Sequence, residues 1–104
     1  MFEVFGFYKF KKLISLNKNK LFIQDFLIKK GIRGTVIIAK EGLNGTISGK
    51  TKDIRDVINK IKKIFSIKEF DNSNTSKSKF QPFHKPKVKI KKEVVPMSLT
   101  LNSK

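Results

Sequence analysis

The chain has no cysteine, only two arginines and only eight acidic residues among its 104 positions. Without cysteine, disulfides, thiolate metal sites and a cysteine nucleophile are excluded, which suits a reducing compartment. So little arginine argues against bidentate reading of bases or phosphates, a task lysine performs poorly. No apolar run approaches the roughly 18 residues of a membrane span. The N-terminal stretch MFEVFGFYKFKK carries its acid early and its basic cluster late, the reverse of a secretory leader. The expected location is the cytoplasm, away from any membrane.

Catalytic groups are equally scarce. The sole histidine, His84, lies between Phe83 and Lys85 without an evident orienting acid and reads as a surface loop residue. The acids are scattered without ligand spacing, so no metal is expected. Gly42, Gly45 and Gly49 flank an expected hairpin instead of preceding a helix, so they do not form a phosphate-cradling loop. We therefore expect no catalytic residue, no cofactor and no small-molecule substrate.

What is abundant is lysine. Lys and Arg number 24 against 8 Asp and Glu, for a formal charge of +16, and 22 of the 24 are lysine. Such an excess attracts polyanions through counterion release and steering. Lys, Ile, Phe and Asn also fill half of the chain, so a genome-wide compositional drift would raise the charge without any selection for binding.

The length is that of one domain, enough to bury a core without staples. Phe5–Lys12 reads as a first strand. Asn17 and Asn19 are candidate N-caps for a helix whose apolar members are Phe22, Ile23, Phe26 and Leu27, with Gly31 at its C-cap. Val36–Ala39 is a short apolar run expected of a buried strand, Asn44-Gly45 a hairpin turn, and Thr46–Ser48 the return strand. Thr51 is placed to cap a second helix with Asp53 in its first turn. Ile54, Val57, Ile58, Ile61, Ile64 and Phe65 give that helix an unbroken apolar stripe. Ile67–Phe70 reads as a brief strand, Asn72–Lys79 as a mobile loop, and KVKIKKEVV as a last strand ended by Pro96. The order βαββαβ plus a further strand predicts an α+β, ferredoxin-like (acylphosphatase-like) sandwich over residues 5–95, with 96–104 a frayed tail.

Two activities known on that topology fit poorly. Acylphosphatases carry glycines and an arginine between the first strand and helix, whereas Leu13–Lys18 holds neither. An RNA recognition motif stacks bases on aromatics of two central strands. Tyr8 and Phe10 suit the first, but Thr46, Ile47 and Ser48 supply no aromatic on the other, so core or edge packing is the expectation for Tyr8 and Phe10. The alternating lysines are more informative. If Val88 and Ile90 face the helices, then Lys87, Lys89 and Lys91 project together from the other side, about 7 Å apart, able to follow a phosphate backbone. The competing reading is an edge strand that lysines protect from aggregation.

The stretch GIRGTVIIAKEGLNGTISG, Gly31–Gly49, resembles the N-terminal domain of the bacterial rhodanese-domain tRNA uridine hydroxylases, formerly an uncharacterised protein family. Tyr8-Lys9-Phe10, Pro82-Phe83 and the KVKIKKEVV run agree with it, so the resemblance covers nearly everything from Tyr8 to Val95. It implies a non-catalytic domain of an enzyme that hydroxylates the wobble uridine of certain tRNAs with oxygen. The reactive cysteine of that family belongs to a rhodanese-like domain absent from these residues. On this resemblance the chain is a truncated or split-gene product whose role is tRNA contact through Lys85, Lys87, Lys89, Lys91, Lys92, Arg33 and Lys40. The alternative is a structural domain that orders a separate rhodanese-like partner without touching RNA. Glu41, Gly42, Asn44 and Gly45 match the family's most recognisable positions; either they build a turn or Glu41 and Asn44 meet the tRNA or the missing domain. Pro86 departs from the family pattern, and the likeness ends after Val95.

Overall fold

A computed structural model describes residues 1–92, and within them runs β1 (Phe2–Phe10), α1 (Leu16–Lys30), β2 (Arg33–Ala39), β3 (Gly42–Gly49), α2 (Thr51–Phe65), β4 (Asn72–Ser78) and β5 (Pro86–Ile90). The sheet order is β4-β1-β3-β2-β5, with β5 parallel to β2 and every other pairing antiparallel. Both helices pack on one face. This is the ferredoxin-like arrangement the periodicity predicts, with β5 added at the β2 edge. The expected tail 96–104 lies outside the described residues.

The apolar stripe of α2 forms as read, and that of α1 only in part. Ile54, Val57, Ile61 and Phe65 of α2 are buried, with Ile58 and Ile64 packed beside them. On α1 only Ile23 and Leu27 are buried; Phe26 is partly covered and Phe22 stands 49% exposed. Gly31 (φ 68) ends α1 as expected and Ser66 (φ 56) ends α2. In each case the next residue, Ile32 or Ile67, sends its N–H back to Leu27 or Lys62 and its side chain into the core.

The helix starts differ from expectation. Ser15 occupies the N-cap position of α1 in a left-handed conformation, and Asn19 instead reaches back from inside the helix to the Ile14 carbonyl at 3.1 Å. Lys50, not Thr51, precedes α2, and neither cap residue makes a side-chain capping bond. Chain entry from the neighbouring strands sets these starts, so capping propensity is overridden.

The hairpin turn also moves. It falls at Lys40-Glu41, and Asn44-Gly45 lies inside β3. A turn at 44–45 would leave a three-residue return strand, whereas a turn at 40–41 gives seven β2–β3 pairs. Those pairs place Val36, Ile38, Leu43 and Ile47 on one face, all fully buried. Burying four aliphatic side chains outweighs the local preference of Asn-Gly for a turn.

β4 is the other correction. Asn72–Ser78, expected as a mobile loop, pairs with β1 through seven register positions, and Ile67–Phe70 is not a strand. Almost all of β4 is exposed, so its residues show no alternation to read. β1 supplies the template, and an all-polar edge strand discourages further pairing. Asp71 starts the pairing by donating its N–H to the Tyr8 carbonyl at 2.8 Å. Ile67 and Phe70 fill the core from a connecting segment, Phe70 lying 4.9 Å from Phe7 ring to ring. β1 itself begins at Phe2, earlier than Phe5, and ends at Phe10.

At the other edge Gln24 of α1 acts as a surrogate strand residue. Its amide nitrogen donates to the Pro86 carbonyl at 2.9 Å and its oxygen accepts the Val88 N–H at 2.9 Å. This satisfies two of the outward-facing groups of β5, the Pro86 carbonyl and the Val88 N–H, and clamps that strand to the helix layer.

Gly45 faces the helices where Phe7 crosses it. A Cβ there would meet the Phe7 ring tip at 2.7 Å and the Thr35 carbonyl at 2.8 Å. Gly45→Ala is expected to destabilise the domain by about 1–3 kcal/mol through overpacking. Urea unfolding checks this, and an unchanged midpoint would contradict the placement of Gly45 in a packed strand.

Candidate nucleic-acid interface

Strand alternation places part of the positive charge on one face of the sheet. Val36 and Val88 are buried toward the helices, so Arg33, Thr35 and Ile37 of β2 and Lys87 and Lys89 of β5 point to the opposite, open face. Register then links the strands across that face. Lys87 lies beside Thr35, and Lys89 beside Ile37, which neighbours Asn44, which neighbours Tyr8. Tyr8 in turn neighbours Asn72 of β4.

The other expected lysines fall around this edge. Lys85 precedes β5 and accepts the Gly34 N–H on its carbonyl at 3.1 Å, which brings it to the Arg33 end. Lys91 follows β5 and donates its N–H to the Ile38 carbonyl at 2.9 Å, at the opposite end of β2. Lys40 is exposed in the β2–β3 turn next to that end, and Lys92 sits in a bend beyond β5, where alternation no longer assigns a face. The set is therefore brought to one edge and its two ends, not gathered into a pocket.

Two further lysines escaped the sequence reading. The N–H of Lys11 bonds the Glu41 carbonyl at 3.0 Å and that of Leu13 bonds the Lys40 carbonyl at 2.8 Å. The chain leaving β1 thus runs against the β2–β3 turn and brings Lys11 and Lys12 to Lys40. The KFKK run at residues 9–12 was the available signal, but its neighbour depended on where the hairpin turned.

The family-motif positions separate into different jobs. Glu41 is exposed in the turn; Gly42 opens β3 at φ 154, where a Cβ would collide with the Lys9 carbonyl. Gly45 is packed under Phe7, while Asn44, 9% exposed, stands on the open face. Ser48, fully buried, is covered by Gln81 of the β4–β5 connection, whose side chain contacts both its hydroxyl and its carbonyl.

Tyr8 and Phe10 are not core residues. They lie on the open face with rings edge-to-face, centroids 5.1 Å apart, and Phe10 is 54% exposed. Partial desolvation, with the Asp71 and Glu41 carboxylates nearby, pushes the Tyr8 phenol above its ordinary pKa. Asp71 accepts the Phe10 N–H at 2.6 Å and the Lys9 ammonium at 3.2 Å. The backbone bond, aided by Lys9 and opposed by partial desolvation, holds its carboxyl below the ordinary value.

Among the described residues no three His, Cys, Asp or Glu side chains gather as a metal site, and no helix is long and apolar enough to cross a membrane. His84 is exposed in the β4–β5 connection. The β1–α1 connection, Lys11–Ser15, contains neither glycine nor arginine. A groove between the helices is lined by Lys30, Lys60, Lys63, Phe26, Asp56 and Asn59. Two of its ammonium groups are engaged: Lys30 pairs with Asp56 at 3.0 Å, and Lys60 lies over the Phe22 and Phe26 rings at 5.3 Å.

This architecture is that of an acylphosphatase-like domain. A solved acylphosphatase from Bacillus subtilis is similar over 86% of this chain and 98% of its own, with a TM-score of 0.56 and 12% identity. Full-length HypF is similar over 92% of this chain and 13% of its own, with a TM-score of 0.62 and 20% identity. At these identities the likeness shows the fold alone. The UPF0176 acylphosphatase-like domain family matches residues 2–94, and the chain belongs to it. The tRNA uridine(34) hydroxylase of Pelagibacter ubique (strain HTCC1062) is 72% identical over all of this chain and 35% of its own length. That of Bartonella quintana (strain Toulouse) is 37% identical over 94% of this chain and 32% of its own. The chain thus spans about a third of the length of these relatives.

Asp71 gives the site a pH signature. Because its folded pKa is depressed, its contribution to stability is present above the unfolded carboxylate pKa of about 3.9 and is lost as pH falls through the folded value. Asp71→Asn is expected to lower the urea midpoint at neutral pH and to match the parent at pH near 2. A midpoint difference that persists unchanged in acid would contradict the pairing with Phe10 and Lys9.

Proposed function

We propose that this chain is the non-catalytic, tRNA-contacting domain of a cytoplasmic wobble-uridine hydroxylase, holding the tRNA while another part of the enzyme performs the oxidation. The observation that carries this reading is the row of Lys87 and Lys89 on the open face, continued by Lys91 and Lys40 at one end and by Lys85 and Arg33 at the other. An ammonium row at strand spacing follows a phosphate backbone and reads no base edge, so it fits contact with the shape of a folded RNA. The names of the relatives supply the substrate class, and their threefold greater length leaves room for the catalytic part.

A second reading has its own observation. The outer side of α1 exposes Leu21 (70%) and Ile28 (60%), one heptad apart, whereas the buried residues of α2 all lie on its core side. An apolar outer face of this kind suits packing against the remaining two-thirds of such an enzyme, in which the domain orders its catalytic partner.

Charge reversal separates the readings. Lys89→Glu with Lys91→Glu changes the charge of the edge by four units at exposed positions, so stability should hold. Under the tRNA-contact reading, affinity for tRNA falls at least tenfold and the salt dependence becomes shallower. Unchanged affinity in a fluorescence anisotropy titration would remove β5 from the interface and favour the packing role.

A further inference from the structure

Phe10 sits at an unusual place for an exposed aromatic ring. It ends β1, and Lys11 and Leu13, on either side of Lys12, are tied by their N–H groups to the β2–β3 turn that carries Lys40. Lys91 joins the same end of the sheet through its bond to Ile38. Phe10 is about half open to solvent, and both its ring and its backbone have partners. Tyr8 meets it edge-to-face at 5.1 Å, and the Asp71 carboxylate pins its backbone N–H at 2.6 Å. Phe22, comparably exposed on the helix face, differs in having the Lys60 ammonium over its ring.

Charges of both signs meet at this end. Asp71 and Glu41 lie close enough to Tyr8 to act on its phenol, so a phosphate is disfavoured over the Tyr8 side. Lys12, Lys40 and Lys91 are exposed around the same end. A neutral aromatic base is the one part of a nucleotide that suits the rings, and its phosphates suit the lysines. A duplex hides its bases in the stack, so only an unpaired nucleotide can present a face to Phe10.

We infer that Phe10, buttressed by Tyr8, is a stacking subsite for an unpaired nucleobase of the RNA, with Lys12, Lys40 and Lys91 taking the adjoining phosphates. This rests on the tRNA-contacting reading above and adds to it a preference that a lysine row alone cannot produce: single-stranded loop over paired stem. The subsite is sequence-tolerant, because every base offers a π-face and the rim lacks arginine for bidentate edge reading.

The chain carries its own reporter. Tyr8 is its single tyrosine and there is no tryptophan, so intrinsic tyrosine emission comes from the ring next to Phe10 alone. The full chain is titrated at moderate salt with a single-stranded oligouridylate, an abasic strand of equal length, a duplex and heparin. Tyr8 emission and anisotropy are recorded together. The expected result is saturable quenching by the oligouridylate and not by the abasic strand or heparin. Phe10→Ala is expected to weaken oligouridylate binding about 5- to 150-fold, as loss of one stacked base does, while leaving heparin and duplex binding unchanged. Phe10→Trp, which keeps an aromatic face, retains oligouridylate affinity in anisotropy.

Equal affinity of parent and Phe10→Ala for the oligouridylate, or equal binding of the abasic strand, overturns the stacking subsite. The lysine row then stands or falls by the charge-reversal titration. Loss of all binding in Phe10→Ala, heparin included, overturns the inference as well, because a stacking residue does not govern polyanion affinity. Absence of any RNA binding by the parent chain removes the tRNA reading and the subsite together.

Discussion

Both faces of this sheet are assigned by one close approach, the Phe7 ring crossing Gly45 where β1 pairs with β3. That crossing requires glycine at 45 and fixes the register of the central pair. Once Phe7 and Gly45 face the helices, alternation sends Leu43 and Ile47 to the same side and Asn44, Thr46 and Ser48 to the other. The β2–β3 register carries the assignment to Val36 and Ile38, and β2–β5 carries it to Val88. Lys87 and Lys89 reach the open face as the last consequence of that chain. A one-residue slip at the centre would bury lysines and expose valines.

Lysine at this edge suits folding and, on the proposed reading, polyanion contact at once. β5 leaves one side unpaired in an already extended sheet, and Gln24 satisfies only the Pro86 and Val88 groups. Charged side chains along such a strand disfavour pairing with a second chain, and the same charges attract phosphate. The two roles need no different residues. At the opposite edge β4 is protected by polar side chains with one lysine, Lys77, among them, so β5 is the more basic of the two edges.

The sequence made the helices legible, α2 above all, because Ile54, Val57, Ile61 and Phe65 repeat at helical spacing and end up buried. The strand with alternating lysines was legible for the same reason at a period of two. The hairpin turn and β4 were not. Asn44-Gly45 has the local chemistry of a turn, and only the number of pairs gained by turning at Lys40-Glu41 reveals that it lies in a strand. Asn72–Ser78 carries no pattern of its own and is ordered by β1, a partner about 70 residues away. On the interface, the motif glycines were recognised but their tasks differ: Gly45 admits Phe7, while Gly42 allows β3 to pass the Lys9 carbonyl. Tyr8 and Phe10 read as packing residues because their exposure depends on which face the helices take. Lys11 and Lys12 were missed because their neighbour is the misplaced turn.

The central claim is that the charge is arranged for a folded RNA and is not a compositional by-product. It is tested most directly by tRNA binding to this chain across a salt series, with heparin as competitor. The account predicts a dissociation constant in the micromolar range at roughly physiological salt, a linear fall of log affinity with log salt, and retention of tRNA against heparin. Binding that is absent, or equal for every polyanion, would contradict it and leave the +16 charge without a role in recognition.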